Sequence, residues 1–381
     1  MATESKTLTR RQLFKGTGAL ATATMLTGCN LFGSKPGVYL SAFRDHLGQN
    51  HIAGLNTDGE SLFSIAVPQR AHDSLMLPGA GLALFFARRP GNLIYIVDLA
   101  RGQWLRSLQA PEGHHFYGHG CVSGGGRYLL TTENHIADGN GHIGVYDIND
   151  EFRRVEQLPS HGIGPHQLKS LSDGKTLAIA NGGILTHPDK GREKLNLDTM
   201  QPGLAYVELN SGKLLSQYHP PHHQQSIRHM DITSADEVVV GVQFEGDPDQ
   251  VVPLAYTHRG EDQLQPLPAT DASWRQHRNY IASVCVDADG ERLLLSSPRG
   301  GVVSGWDLSK RQLLAIQTQR DGAGIAFNGV ARRFLISNGL GQLTAVDQQQ
   351  LQRQTHHSRF YQNRIWDNHM SFSELPTGTS A

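Results

Sequence analysis

Gly91-Asn-Leu-Ile-Tyr-Ile-Val-Asp98 reads as a β-strand that ends on an acid, and the chain repeats the same unit four more times. The copies are Gly141-His-Ile-Gly-Val-Tyr-Asp147, Gly203-Leu-Ala-Tyr-Val-Glu208, Gly301-Val-Val-Ser-Gly-Trp-Asp307 and Gly341-Gln-Leu-Thr-Ala-Val-Asp347. Two weaker ones are Ile52-Ala-Gly-Leu-Asn-Thr-Asp58 and Pro253-Leu-Ala-Tyr-Thr257. The marks fall at 58, 98, 147, 208, 257, 307 and 347. A short β-rich run recurring about every fifty residues is one supersecondary unit that buries its faces only against its neighbours. Seven of them predict an all-β chain, a seven-bladed β-propeller.

Two further marks fix the unit. Two adjacent apolar residues follow three of the acids at offsets of six and seven, at Trp104/Leu105, Leu214/Leu215 and Leu313/Leu314. Turn sequences Ser123-Gly-Gly-Gly-Arg127, Ser172-Asp-Gly-Lys175 and Asp287-Ala-Asp-Gly-Glu291 each precede a new apolar run, as hairpins do. Each blade therefore reads inner strand, hairpin, second strand, acid-ending third strand, outer strand. A β-sandwich has no reason to repeat an acid and an apolar pair at fixed offsets. Ring closure predicts that the segment around Gly37–Phe43 and the C-terminal Arg364–Phe372 share a blade. The propeller is expected over 37–376, after residues 1–28 as an export signal and 29–36 as a tether, with 377–381 as a tail.

Composition agrees. The 381 residues include 42 glycines and 17 prolines but only 18% charged side chains, which suits many tight turns and excludes a coiled coil or a disordered chain. At the N-terminus, Thr9-Arg10-Arg11-Gln12-Leu13-Phe14-Lys15 precedes a weakly apolar run that ends in Leu26-Thr27-Gly28-Cys29. That run is too short and too rich in Thr, Gly and Ala to span a bilayer. The segment resembles twin-arginine (Tat) export signals read through Arg10 and Arg11, and Leu-Thr-Gly-Cys resembles a lipobox, with Cys29 the lipidated residue. Ala21-Thr22-Ala23 offers a rival cleavage site that would release a soluble periplasmic protein. Lipidation would place the chain in the cell envelope, held to the membrane through its lipid anchor alone, with the outer membrane favoured by Asn30 in place of an aspartate. Removing residues 1–28 takes four basic residues and one acid, so the net charge falls from −1 to about −4 and leaves no electrostatic footprint for nucleic acid. Cys121 and Cys285 then remain, and buried free thiols are expected of both.

Twenty histidines are the compositional outlier. His72, His119, His166 and His229 stand at the start of inner strands, seven to nine residues before the hairpin glycine or its equivalent. The repeat brings them to one mouth of the central channel, where neutral imidazoles suit a transition metal such as iron or copper. A solvated polar channel or an organic-ligand pocket is the alternative. No H-E-x-x-H, C-x-x-C or G-x-S-x-G motif is present. The pairs His114-His115, His222-His223 and His356-His357 are expected in surface loops. Glu133 and Asn134 follow Leu129-Leu130, Asn181 opens a long polar loop, and Arg228 and Arg299 add cations that would favour an anionic ligand.

The runs Gly118-His-Gly, Thr132-Glu-Asn134, Gly162-Ile-Gly-Pro-His166, Ala180-Asn-Gly-Gly-Ile184, Thr186-His-Pro-Asp189, Gly191-Arg192, Ser226-Ile-Arg-His229, Ser297-Pro-Arg-Gly300 and Trp366-Asp-Asn-His369 resemble the domain-of-unknown-function 1513 family. Its members are Tat-exported propellers, related by fold to YVTN and quinoprotein amine dehydrogenase β-chain-like proteins and encoded beside imelysin-type lipoproteins. The resemblance implies a cell-envelope role in iron uptake, with imelysin-type proteins as partners and the Tat translocase met during export. It adds His187, Asp189, Arg192 and His369 to the ligand-binding candidates. The expected function is binding of a ligand or metal at the channel mouth without catalysis; the alternatives are a hydrolase or oxidoreductase using the same cluster, and a protein-interaction scaffold.

Overall fold

The computed structural model describes residues 37–77 and 79–375, so the expected export signal with Arg10 and Arg11, the expected lipidation site Cys29 and the expected C-terminal tail lie outside the described residues. Seven four-stranded antiparallel sheets form the ring. Six are built from consecutive strands. Blade 2, for example, comprises Ala71–Leu77, Leu82–Ala87, Leu93–Asp98 and Gln103–Gln109, counted from the channel outward. Blade 1 closes the ring as expected: the C-terminal strand Arg364–Ser373 takes the innermost place beside Val38–Asp45, Asn50–Leu55 and Ser61–Val67. Blades 3 to 7 follow, with innermost strands His114–Val122, Pro165–Ser170, Gln225–Ile232, Ser283–Val286 and Gly322–Asn328.

The repeated acid has a local cause. It ends the third strand of its blade, and its carboxylate accepts backbone N–H groups of the turn that follows. Asp98 takes Arg101 N at 3.0 Å, Asp147 takes Asn149 N at 3.0 Å, Asp307 takes Lys310 N at 3.0 Å and Asp347 takes Gln350 N at 2.7 Å. A short acid closes such a turn better than any apolar residue. The apolar pairs fall on outer strands, where Leu105, Leu215 and Leu314 face solvent.

The core is divided among the blade interfaces. Val38, Leu40 and Ile52 of blade 1 meet Ala83, Phe85, Tyr95 and Val97 of blade 2. Trp306 of blade 6 stacks on Trp274 of the short helix Asp271–Arg275, with ring centroids 5.5 Å apart. Each blade buries both faces on its neighbours, so the ring holds together as one core rather than as separate domains.

The loops joining second to third strands gather on the face where the innermost strands begin. The long one, after Asn181, is pinned by Asn196, whose side chain accepts from Leu185 N (2.7 Å) and donates to the Gly183 carbonyl (2.9 Å). Arg89 of blade 2 reaches across to the Thr186 hydroxyl at 2.7 Å, which ties the loop over the channel. One expectation needs correction: His114 and His115 belong to the strand His114–Val122, and His115 is buried with Nδ1 3.0 Å from the Phe116 carbonyl.

Candidate metal centre and vestibule

Five of the seven innermost strands carry a β-bulge that turns a histidine into the channel. Pairing slips between Ala71 and Asp73, between Phe116 and Gly120, between Pro165 and Gln167, and between Ile227 and His229; in blade 1 it slips between Trp366 and Met370. A bulge leaves a residue outside the ladder and re-aims its side chain. His72 and His166 are such extra residues, His119 and His369 lie inside their bulges, and in blade 5 Arg228 is the extra residue with His229 next to it. Gly118, at φ +100°, permits the turn in blade 3: a Cβ there would stand 2.8 Å from His72 Cδ2. The other two blades leave room. Ser283 of blade 6 places its hydroxyl 3.2 Å from His369 Nδ1, and a Cβ at Gly324 of blade 7 would stand 3.0 Å from the His369 carbonyl carbon.

The structure thus brings together all four histidines predicted as a set and adds His369. His72, His166, His229 and His369 form a closed circuit of rings, with neighbouring centroids 4.5 to 6.0 Å apart. His119 contacts all four, at 4.8 to 5.8 Å. All five are buried, and each retains one buried ring nitrogen without a hydrogen bond among the described residues: Nδ1 of His72, which has Asp367 at 3.5 Å, Nδ1 of His166 and His229, and Nε2 of His119 and His369. Burial holds His72, His166 and His229 well below the ordinary imidazole range, and neighbouring histidines push the same way. His369 falls to about 3, again through burial first and His119 second. Neutral imidazoles with unused nitrogens are the form in which histidine binds metal.

Two triads have one ligand atom each within 4.8 Å of one another: His72/His119/His166 and His119/His229/His369. Metal–nitrogen bonds are about 2.0–2.1 Å, so a cation would draw these atoms closer by small side-chain rotations. Carboxylates stand behind the ring. Asp73 accepts from His119 Nδ1 at 2.8 Å, and Asp367 lies 3.5 Å from His72 Nδ1 while also binding Arg70. Such outer carboxylates fix the tautomer and orientation of a ligand histidine.

The histidine layer separates two cavities. The one under the long loop, about 350 Å³, is reached by His72, His166 and His229 and by the expected residues His187, Arg192, Arg228 and Arg299. The opposite one, about 560 Å³, is reached by His229 and His369 and by Asp73, Lys169 and Asp231. Lys169 binds Asp231 at 2.8 Å, and this pairing outweighs burial and raises its ammonium pKa. Cys121 and Cys285 face the same cavity as free thiols; Cys285 is buried as expected but Cys121 only half-buried, and both are pushed up by desolvation and so are poor nucleophiles.

Other expected residues stand elsewhere. Glu133 does not reach the channel mouth: it is fully buried within blade 3, accepting from Thr131 (2.9 Å), Tyr146 (2.8 Å) and Arg154 (2.8 Å). Glu133 stands on the second strand of its blade, one strand out from the channel, and its side chain packs within the sheet stack. Asn134 is buried in the same strand, and Asn181 binds the Ser160 carbonyl at 2.8 Å, so neither lines the vestibule. Asp189 is exposed on the loop beside His187. Sequence reasoning missed Asp73, Asp367, Arg88 and Arg89. Asp73 immediately follows His72, and Asp367 precedes His369 by two, which was the available signal.

Residues 65–373 match the family described as protein of unknown function (DUF1513). No curated protein matches the chain in sequence. Hydrazine synthase of Kuenenia stuttgartiensis is similar in structure, with a TM-score of 0.62 and 14% identity over 85% of this chain and 99% of that one. At that identity the likeness shows the propeller fold alone. The family match spans most of the ring and every histidine of the channel layer, and the chain belongs to the DUF1513 family.

Proposed function

We propose that this propeller binds one transition-metal ion, iron or copper, in the five-histidine layer, and that it does so in the cell envelope as an accessory of iron uptake. One observation carries the metal reading: five buried histidines from five blades each keep a ring nitrogen without a hydrogen bond among the described residues, and two triads of them bring ligand atoms within 4.8 Å of one another. Buried polar atoms without partners are costly. A cation held by one triad would satisfy three of them at once. His119 contributes Nε2, because Asp73, an acceptor only, holds its Nδ1–H. The envelope location rests on the Arg10-Arg11 signal and Cys29, and the iron-uptake role on the family resemblance.

Elemental analysis of purified protein, before and after reconstitution with Fe(II) or Cu(II), tests the reading. About one equivalent is expected, lost on substituting His119. Less than about 0.1 equivalent after reconstitution with any transition metal would end it. A second reading, oxidoreductase, draws on the vestibule, which would leave a bound metal open to a small substrate. Turnover of a redox substrate that disappears with His119→Gln would favour it.

A further inference from the structure

The vestibule above the histidines carries far more positive charge than it can balance. Arg88, Arg89, Arg192, Lys194, Arg228 and Arg299 line it, against the single carboxylate of Glu245. Glu245 is already engaged by Lys194, with Arg228 at 4.0 Å. Asp367, whose charge acts on Arg88, is bound by Arg70. Among the described residues, Arg89 has the neutral Thr186 hydroxyl as its one hydrogen-bond partner. Burial lowers the Arg89 pKa to about 10, and Arg228, Arg192 and Arg88 reinforce this by repulsion. Arg228 itself is 8% exposed and is held by Ser226 at 2.9 Å through Nε, which leaves the far end of its guanidinium for another partner.

Desolvated cations gathered without counter-charge destabilise a fold. This ring does not need them for closure: of these cations only Lys194, on the blade 4 loop, joins two blades through an ion pair among the described residues, to Glu245 of blade 5, while the Arg228–Glu245 contact stays within blade 5. Aromatic rings flank two of them: Arg89 Cζ lies 5.9 Å from the Tyr117 ring centroid and Arg299 Cζ 4.3 Å from that of Tyr280, which limits the places these guanidiniums can take. Guanidinium forks match planar or tetrahedral oxyanions through paired hydrogen bonds. The cavity of about 350 Å³ suits a small molecule and is too small for a polymer or a lipid surface.

We infer that the vestibule is a binding site for a small, multiply charged oxyanion, held chiefly by Arg89 and Arg228 with Arg88, Arg192 and Arg299 around it. The shared chemistry fits two sources, a di- or tricarboxylate and a phosphate. The inference rests on the cations and stands whether or not the histidines hold a metal. Bound there, the anion lies against His72, His166 and His229, where it would partner a metal in the layer below.

Calorimetric titration of metal-free protein in a chloride-containing zwitterionic buffer tests it, with citrate, inorganic phosphate and acetate as separate titrants. Citrate or phosphate is expected to bind at least about tenfold more tightly than acetate, and Arg89→Gln and Arg228→Gln are each expected to weaken that binding about tenfold or more. Arg299→Gln, at the exposed rim, provides a second variant with little risk to folding and should weaken it less. The stronger of the two polyanions identifies the source. Undetectable binding of both at about 5 mM, or binding unchanged in all three variants, overturns the inference. Because no metal is present, a protein that fails to bind metal but binds citrate refutes only the metal reading.

Discussion

His119 Nδ1 lies 2.8 Å from Asp73 Oδ2, a bond from the third blade to the second that commits the histidine to presenting Nε2 to the channel centre. Burial works against the Asp73 carboxylate, but His119 and the Ser74 N–H hold its pKa below the usual aspartate range, so it is ionised at neutral pH. Asp73→Asn keeps an acceptor at that place and removes the charge that makes the imidazole a better donor to a cation. Metal affinity should fall about 10–100-fold, read by competition with a chromophoric chelator, while the melting temperature of the metal-free protein changes little.

His119 is the one histidine in ring contact with all four others, and it belongs to both triads. Substituting it by glutamine should therefore cost more metal affinity than the same change at His72, His166, His229 or His369. Chelator competition across the five variants gives the order. Equal losses at all five would show that His119 has no special place, and no loss at His119 would remove the cluster from consideration as a metal site.

Glu133 should matter for stability and not for binding. Its carboxylate is surrounded by Thr131, Tyr146 and Arg154, and the Tyr146 hydroxyl is raised by burial and by this neighbouring charge. Glu133→Gln is expected to lower unfolding free energy by about 1–3 kcal/mol. Gly144→Ala probes the same pocket from the facing strand, since its Cβ would stand 1.9 Å from Glu133 Oε1, and overpacking of this kind costs about 1–3 kcal/mol. Urea denaturation measures both losses, and metal affinity should be unchanged in each; a weakened metal site in Glu133→Gln would return that carboxylate to the channel.

The propeller was legible because its signals are local. A third strand ends on an acid that caps its own turn, so Asp98, Asp147, Asp307 and Asp347 mark the repeat within a few residues. The four histidines were legible as a register for the same reason. His369 was not, because the strand that carries it closes the ring from the other end of the chain and has no hairpin after it to count back from. Glu133 was misplaced because sequence spacing locates a residue along a strand, while its distance from the channel depends on which strand of the blade carries it, here the second. Arg88 and Arg89 escaped notice because their meeting with Arg228 depends on blades 2 and 5 facing each other across the channel, which nothing in the sequence between them records.

His277 offers a pH test away from the channel layer. It follows the helix Asp271–Arg275, is 1% exposed, and bridges the Ser273 carbonyl (Nδ1, 3.1 Å) and the Ser304 hydroxyl of blade 6 (Nε2, 2.9 Å). Burial lowers its pKa below the ordinary value, against backbone contacts that act to raise it. In the unfolded chain it titrates near 6.5, so as pH falls through that value the unfolded state takes up a proton that the folded state refuses. The unfolded state then binds more protons, and stability must fall on acidification from about pH 6.5 down to the depressed folded value, with a slope approaching about 1.4 kcal/mol per pH unit from this one group. His277→Gln retains a partner for Ser304 and cannot titrate. Urea midpoints of metal-free protein at pH 7.5 and 5.0 should therefore differ less in the variant than in the parent; if the two show the same loss, His277 is accommodated as a cation and its bridge to blade 6 does not depend on neutrality.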